Sequence, residues 1–401
     1  MENISSILSS EYYWQSFLNT KLEEGHLSKS DRDALKSYVE NREYEITAKA
    51  YTEGGTFPYP TACTINKQFT GKKRMVFKYP EGENLFLKFI AYHLSRYDRV
   101  FAPNLCSFRK NVTVKKVIKG LAATKGINGM YSYKVDVRDY FNSVDIDKLL
   151  PMLKFALSDD GALYSFLAAL LKNPYSIKDG EKTEIKKGIM AGVPTSSFLA
   201  NLYLSEVDNW FYAKGISYIR YSDDIIIFAD TEKKISLYAA RLKEMLSERG
   251  LEINSSKECY VSPGEGWEFL GFSYYNGIVD VSAATLDKLK KKLKRKARAL
   301  FRWKVKKGAS DERAIRAFIK SFNMKLYDNP NNSELTWARW YFPVITTDKS
   351  LHAIDVYMQD CIRYIATGNY SKIRYNLRYE QMKEYGYRSL VNEYYKGKAM
   401  D

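Results

Sequence analysis

Cysteine and histidine are scarce in this chain. Four cysteines, Cys63, Cys106, Cys259 and Cys361, stand far apart with no CxxC pair, and the histidines are His26, His93 and His352. That excludes a disulfide framework, a zinc ribbon and an HNH-type nuclease, and it points to a reducing cytoplasm. Any metal has to be held by oxygen. Long apolar runs are also missing: stretches such as Ile225 to Ala229 fall far short of the roughly 20 residues that cross a bilayer. The N-terminus, Met1 to Leu8, lacks a basic segment followed by an apolar one, so no export signal and no membrane partner are expected. Acidic residues are outnumbered, 47 Asp+Glu against 63 Lys+Arg, for a formal charge of +16 and a sequence pI near 9.3. An acidic solvating tail is excluded, and a polyanionic partner is favoured.

Apolar and aromatic residues are plentiful, at 45% and 15% of 401 positions, enough for more than one core. Residues 1 to about 50 mix charge with helix formers and carry no motif, with a short amphipathic helix expected over Ser30 to Asn41. Residues 57 to 80 are turn-rich and enclose the run Lys72-Lys73-Arg74 before a short strand, Met75 to Lys78, which reads as a hairpin presenting positive charge. Leu85, Leu87, Phe89, Ile90 and Leu94 predict a helix between Asn84 and Arg99. Tyr131, Tyr133, Val135 and Val137 alternate with Ser132, Lys134, Asp136 and Arg138, so a strand here points Asp136 away from the apolar face. Ile216 to Tyr221 and Asp224 to Ala229 are strand-like runs separated by Ser222-Asp223, a tight hairpin with adjacent carboxylates at its tip. Before them, Ser197 to Phe211 carries a helical stripe with Thr195 or Ser196 as N-cap. Strand, helix and hairpin alternate, which predicts an α+β centre. Near residue 282 the composition shifts, and Lys288 to Lys307 holds twelve Lys or Arg.

An Asp-Asp turn by itself is usually solvated surface. Here it is flanked by apolar strands, and Asp136 on another strand is a third carboxylate to set beside it. Three such groups brought together repel and raise one another's pKa. A divalent cation removes that conflict, and Mg²⁺ prefers oxygen ligands while keeping positions for phosphates. Two ions about 4 Å apart can activate an attacking hydroxyl and stabilise the leaving oxygen. That is nucleotidyl transfer chemistry.

From about Lys72 to Phe272 the chain resembles the reverse transcriptase family, particularly bacterial enzymes of the group II intron, retron and defence-associated type. Tyr133-Lys-Val-Asp136-Val-Arg-Asp-Tyr140-Phe141 looks like the first palm motif of that family, and Gly188-Ile-Met-Ala-Gly192-Val-Pro-Thr-Ser196-Ser-Phe-Leu-Ala-Asn201-Leu-Tyr203-Leu like the second. Tyr221-Ser-Asp-Asp224 looks like the third, and Gly250-Leu-Glu-Ile-Asn254-Ser-Ser-Lys257 and Phe269-Leu-Gly271-Phe272 match the two that follow. The resemblance implies a right-hand polymerase: N-terminal region and fingers over 1–130, palm over 131–282 with 147–187 contributing to the fingers, and a basic helical thumb with C-terminal extension over 283–401. It implies that Asp136, Asp223 and Asp224, with the Val137 carbonyl, hold two Mg²⁺ ions, for which Mn²⁺ could substitute. Phe141 falls where the family places an aromatic gate against the ribose 2′-hydroxyl.

Gly192 and Ser196 match the family's Gln-Gly-x-x-x-Ser-Pro segment, with Ala191 in place of Gln and Ser197 in place of Pro. Lys72, Arg74 and Arg109 are candidates for the triphosphate, Arg109 within Ser107-Phe108-Arg109, which resembles Ser-Tyr-Gly-Phe-Arg with the Gly missing. Lys257 stands where a lysine could protonate the pyrophosphate leaving group. Leu286, Leu289, Leu293, Ala297 and Leu300 give the basic run one apolar helical face. Its other faces, with Lys288, Lys291, Lys292, Arg295, Lys296 and Arg302, would lie along a nucleic-acid backbone. Phe269 and Gly271 are expected at the nucleic acid as well. The aromatics from Trp337 to Tyr395 read first as core, with part of this end gripping a structured RNA. The implied activity is RNA-directed DNA polymerisation in the bacterial cytoplasm, in antiviral defence. The implied partners are an RNA template or associated noncoding RNA, deoxynucleotides and the DNA product; a homo-oligomer is compatible. No zinc nuclease or RNase H segment is expected, which favours a stand-alone role. A retron-type enzyme and a non-catalytic RNA-binding maturase or chaperone are the alternatives.

Overall fold

The structure, a computed structural model, describes residues 2–25, 27–52, 57–66, 73–185, 188–327, 336–369 and 377–399. The chain divides into two units, Met1–Val117 with Gly129–Pro263, and Ile118–Asn128 with Gly264–Asp401. In chain order the strands are Thr61–Asn66 (β1), Lys73–Lys78 (β2), Tyr131–Asp136 (β3), Tyr175–Lys178 (β4), Glu181–Glu184 (β5), Ser217–Tyr221 (β6), Asp224–Ala229 (β7), Cys259–Val261 (β8), Trp267–Phe269 (β9), Phe272–Tyr275 (β10) and Ile278–Val281 (β11). With helices around separate, largely antiparallel sheets, the fold is α+β, as expected.

In the first unit, one sheet has the order β6-β7-β3-β8, antiparallel throughout. Its inner strand β7 contains the run Ile225-Ile226-Ile227-Phe228, all four buried, because a strand covered on both faces needs apolar side chains on both. A second sheet, β2-β1-β4-β5, contains the β1–β2 hairpin read from the basic segment. The N-terminal helices, whose role the sequence left unreadable, complete the core of this unit: Trp14 of Glu11–Glu23 stacks on Phe89 of Glu81–Leu94 with ring centroids 4.1 Å apart.

The helical stripe expected over Ser197 to Phe211 is two helices, Ser196–Tyr203 and Ser205–Ala213. Ser205 Oγ donates to the Leu202 carbonyl (2.8 Å), a side-chain bond that competes with the helical ladder at the break. The N-cap expectation is also corrected: Thr195 makes no side-chain cap, and the Ser196 hydroxyl is held by the carbonyls of Ile189 and Met190.

The second unit pairs the meander β9-β10-β11 with helices that include Ala283–Lys307, Lys349–Thr367 and Leu390–Lys398. Asp355 organises its C-terminal end. Buried, it accepts from Tyr387 Oη (2.8 Å), Ser389 Oγ (2.6 Å) and the Leu390 and Val391 N–H groups (2.8 and 3.1 Å), tying down the start of the last helix. Asp355→Ala leaves four donors unmet, and a loss of about 3 kcal/mol is expected, read as a lower urea midpoint. Tyr341, Tyr387 and Tyr394 are buried and so belong to this core, while Tyr370 and Tyr375 lie outside the described residues.

Candidate active site

The β6–β7 connection is the two-residue loop Ser222-Asp223, with Tyr221 paired to Asp224. Ser222 takes a positive φ of 59° at the first loop position, as a type II′ hairpin turn requires. On the other edge of β7, Asp136 at the end of β3 pairs with Asp224, and the Val137 N–H donates to the Asp223 carbonyl at 2.9 Å. Three aspartates, remote in the chain, therefore meet at one end of the sheet. Val137 bridges Ile253, flanked by Asn254 N–H to Asp136 carbonyl (2.8 Å) and Arg138 N–H to Glu252 carbonyl (2.8 Å); neither bond uses the Val137 carbonyl.

The charges at this end are not balanced among the carboxylates themselves. Asp136 is buried and turned toward the segment after Gly250: Lys257 Nζ donates to its Oδ2 at 2.5 Å and Asn254 Nδ2 to its Oδ1 at 3.3 Å. Asp224 is pushed up to about 6 by burial, then by the charges of Asp223 and Asp136, with Lys257 and Lys134 pulling the other way. Burial alone would lower the Lys257 ammonium, but its bond to Asp136 and the three aspartate charges raise it. Among the described residues no group of three or more His, Cys, Asp and Glu side chains is arranged as a metal cage. The donor chemistry nonetheless fits a hard divalent cation: three carboxylates converge, and Asp224 stays raised, by burial first and then by Asp223 and Asp136, against the pull of Lys257 and Lys134.

A loop with Gly188, Met190 and Gly192 at positive φ packs on the short helix after β3 and on β2 of the second sheet. Gly188 lies so close to the next turn that a Cβ there would sit 2.2 Å from the Phe141 carbonyl oxygen, and the Ile189 N–H donates to that oxygen at 2.9 Å. Gly192 packs against β2, where a Cβ would be 3.0 Å from the Phe77 oxygen and the Phe77 N–H donates to the Ala191 carbonyl (2.8 Å). Phe141 is half-buried in the short helix Tyr140–Ser143, after a left-handed turn at Asp139 (φ 45°). Ser196 braces the loop through the Ile189 and Met190 carbonyls.

Arg109 is held within its own segment, Nη1 donating to the carbonyls of Ala102 (3.0 Å) and Leu105 (3.3 Å), with Asp98 at 3.7 Å. Lys72 lies outside the described residues, and of Arg74 only the backbone, in β2, is described.

The family described as reverse transcriptase (RNA-dependent DNA polymerase) matches residues 65–274, just over half of the chain. The chain belongs to the reverse transcriptase family. It is 27% identical over 145 residues to the retron Ec86 reverse transcriptase of Escherichia coli, covering 35% of this chain and 41% of that protein, so the match spans well under half of the relative. Apo telomerase of Candida tropicalis superposes with a TM-score of 0.48 at 11% identity, covering 79% of this chain and 58% of that one. A form truncated from its C-terminal domain gives 0.46 at 10%, with coverage of 56% and 55%.

In the second unit, Phe269 is buried, and Gly271 (φ 85°) lies under Tyr341, whose Oη would be 2.8 Å from an added Cβ. The helix Ala283–Lys307 buries Leu289, Leu293 and Ala297 and exposes Lys288, Lys291, Arg295, Lys296 and Arg302. Lys292 is pulled down by burial and by the cations Lys325, Arg295 and Lys288 around it. Lys304 departs from the expected basic surface. It turns inward, Nζ donating at 2.7 Å to Asp311 and to the carbonyls of Ile365 and Ala366, where it caps a helix C-terminus. Sequence reasoning missed it because a lysine at this spacing looks like the rest of the run. It also missed Gly188 and the buried pair Asp208–Arg220.

Proposed function

We propose that this chain is an RNA-directed DNA polymerase adding deoxynucleotides to a primer 3′-hydroxyl. The observation that carries the reading is the strand register that sets Asp136 opposite Asp224, with Asp223 in the adjoining turn. Asp136, Asp223, Asp224 and the Val137 carbonyl would hold two Mg²⁺ ions, or Mn²⁺ in their place. When bound, such ions stabilise negative charge on the attacking and leaving oxygens. In the reaction the primer 3′-hydroxyl gives up its proton to water and its oxygen bonds to the α-phosphorus as the α–β bridge breaks and pyrophosphate departs with the bridging oxygen. The chain's own residues order this event. Lys257, charged beside Asp136, is within the site to donate a proton to the leaving group. Phe141 would lie beneath the sugar, and Gly188 and Gly192, which lack a Cβ, let their loop close on the Phe141 turn and on β2 and so hold that ring in place.

The decisive comparison uses dNTPs, Mg²⁺ and a primed RNA template, with wild type against Asp223→Ala plus Asp224→Ala. Incorporation by wild type alone is expected. Equal incorporation by both sinks the enzymatic reading, and none by either favours the non-catalytic RNA-binding maturase or chaperone.

The proposed domains are an N-terminal region and fingers over 1–130, palm over 131–282 with 147–187 contributing to the fingers, and a basic helical thumb with C-terminal extension over 283–401, where the exposed Lys288, Lys291, Arg295, Lys296 and Arg302 favour a polyanionic ligand. Lys288→Glu with Lys291→Glu and Lys296→Glu is expected to weaken binding to primed RNA of any sequence and to flatten its salt dependence by about two to three units of log–log slope. The proposed setting is bacterial antiviral defence with an associated noncoding RNA. Similarity to the retron enzyme favours a retron-type variant of the same chemistry, and sequencing copurified nucleic acid separates them, since a retron yields branched RNA-linked DNA.

A further inference from the structure

Beneath the Ser222-Asp223 turn lies a polar network that the proposed chemistry does not use. Asp208 and Arg220 are both fully buried and joined twice, Arg220 Nε donating to Oδ1 (2.8 Å) and Nη2 to Oδ2 (2.6 Å). Burying two charges is costly unless the geometry is good and the remaining protons find partners. Here Tyr218 Oη also donates to Asp208 Oδ1 (2.9 Å), Arg220 Nη2 reaches the Asn201 carbonyl (3.1 Å) and Nη1 reaches the Ser222 carbonyl (3.2 Å). Ser107 meets the same turn through its other polar group. Its Oγ accepts the Ser222 N–H at 2.9 Å and donates to Asn201 Oδ1 at 3.0 Å, while Asn201 Nδ2 donates back to the Ser107 carbonyl at 2.8 Å.

Both backbone polar groups of Ser222 are thus gripped by side chains from elsewhere in the fold. A two-residue hairpin closes without such help, and apolar residues of similar volume would fill the same core as well as an ion pair does. What they would not do is hold the turn at one angle. We infer that Ser107 and Arg220 are positioning residues, which clamp the N–H and C=O of Ser222 and so set how Asp223 and Asp224 are presented to Asp136. Asp208, Tyr218 and Asn201 hold the two clamps in place. The inference rests on the polymerase reading for the role of those aspartates.

Ser107→Ala removes one clamp with little change in volume. Mn²⁺ titrated into the metal-free full chain and followed by electron paramagnetic resonance is expected to bind about tenfold more weakly, and kcat for dNTP addition to fall by about ten- to a hundredfold with KM nearly unchanged. The melting temperature in chelator should stay within a few degrees of wild type. Ser107→Thr, which keeps the hydroxyl, should restore both Mn²⁺ affinity and kcat. A folded Ser107→Ala protein with wild-type Mn²⁺ affinity and kcat overturns the inference, as does one that loses both only in proportion to its unfolded fraction. If Ser107→Ala folds poorly, Asn201→Ala, which unseats the Ser107 hydroxyl, is read against the same outcomes. Weakened Mn²⁺ binding in a chain whose wild type extends no primer would sink the polymerase reading while upholding the clamp.

Discussion

Asp224→Asn is expected to reduce primer extension by on the order of 10³-fold or more without lowering the melting temperature measured in chelator. The two halves have one cause. Asp224 faces Asp136 across β7 and β3 and follows Asp223 in the turn, so three carboxylates crowd one sheet end, where burial weakens their solvation. Such a cluster is useful only to a cation; without one it repels itself. Asparagine keeps the shape and removes one of the repelling charges, while the bonds from Lys257 and Asn254 to Asp136 are untouched. Activity and stability should therefore move in opposite directions, or stability not at all. An Asp224→Asn protein that melts several degrees lower would show that the carboxylate supports the fold, and retained extension would remove it from the chemistry.

Gly188→Ala is expected to cost about 2–4 kcal/mol and to admit ribonucleotides about tenfold more readily relative to deoxynucleotides. Gly188 has φ 52°, and its added Cβ would lie 2.2 Å from the Phe141 oxygen and 2.8 Å from the Cα and carbonyl carbon of Asn142. These are backbone atoms, so no side-chain rotation relieves the overlap. The Ile189 N–H bond to the Phe141 carbonyl must lengthen, and the ring proposed to police the sugar moves with it. Phe141→Ala should change selectivity in the same direction with a smaller loss of stability. Denaturation curves and paired dNTP and rNTP incorporation measure both, and a folded Gly188→Ala protein with unaltered sugar selection would separate the loop from the gate.

The hairpin from Ile216 to Ala229 and the helix ending at Glu40 were legible because their signals are local: a turn dipeptide between two apolar runs, and an amphipathic 3.6-residue period. Lys304 and Ser196 were misread for the complementary reason. Each has a local pattern, a basic run or a hydroxyl before a helix, that a distant or looping carbonyl overrides. Arg220 and Asp208 did leave a trace. Arg220 alternates onto the face of buried Tyr218, and Asp208 shares a helical face with Leu204 and Phe211, so each is a charge on an apolar surface in need of a partner. That they partner each other is a fact about folding, not about spacing.

The sequence by itself determined which residues could do chemistry here, because carboxylates at strand ends, glycines in a turn-rich segment and a lysine-rich amphipathic run follow from residue type and period. Only the tertiary structure decided that Asp136 faces Asp224, that Lys257 is the counter-ion of Asp136, and that Ser222 is held from both sides. Those contacts join segments as far as 121 residues apart. Their geometry is set by which buried surfaces and polar groups can be satisfied together, and no local window of the chain contains that condition.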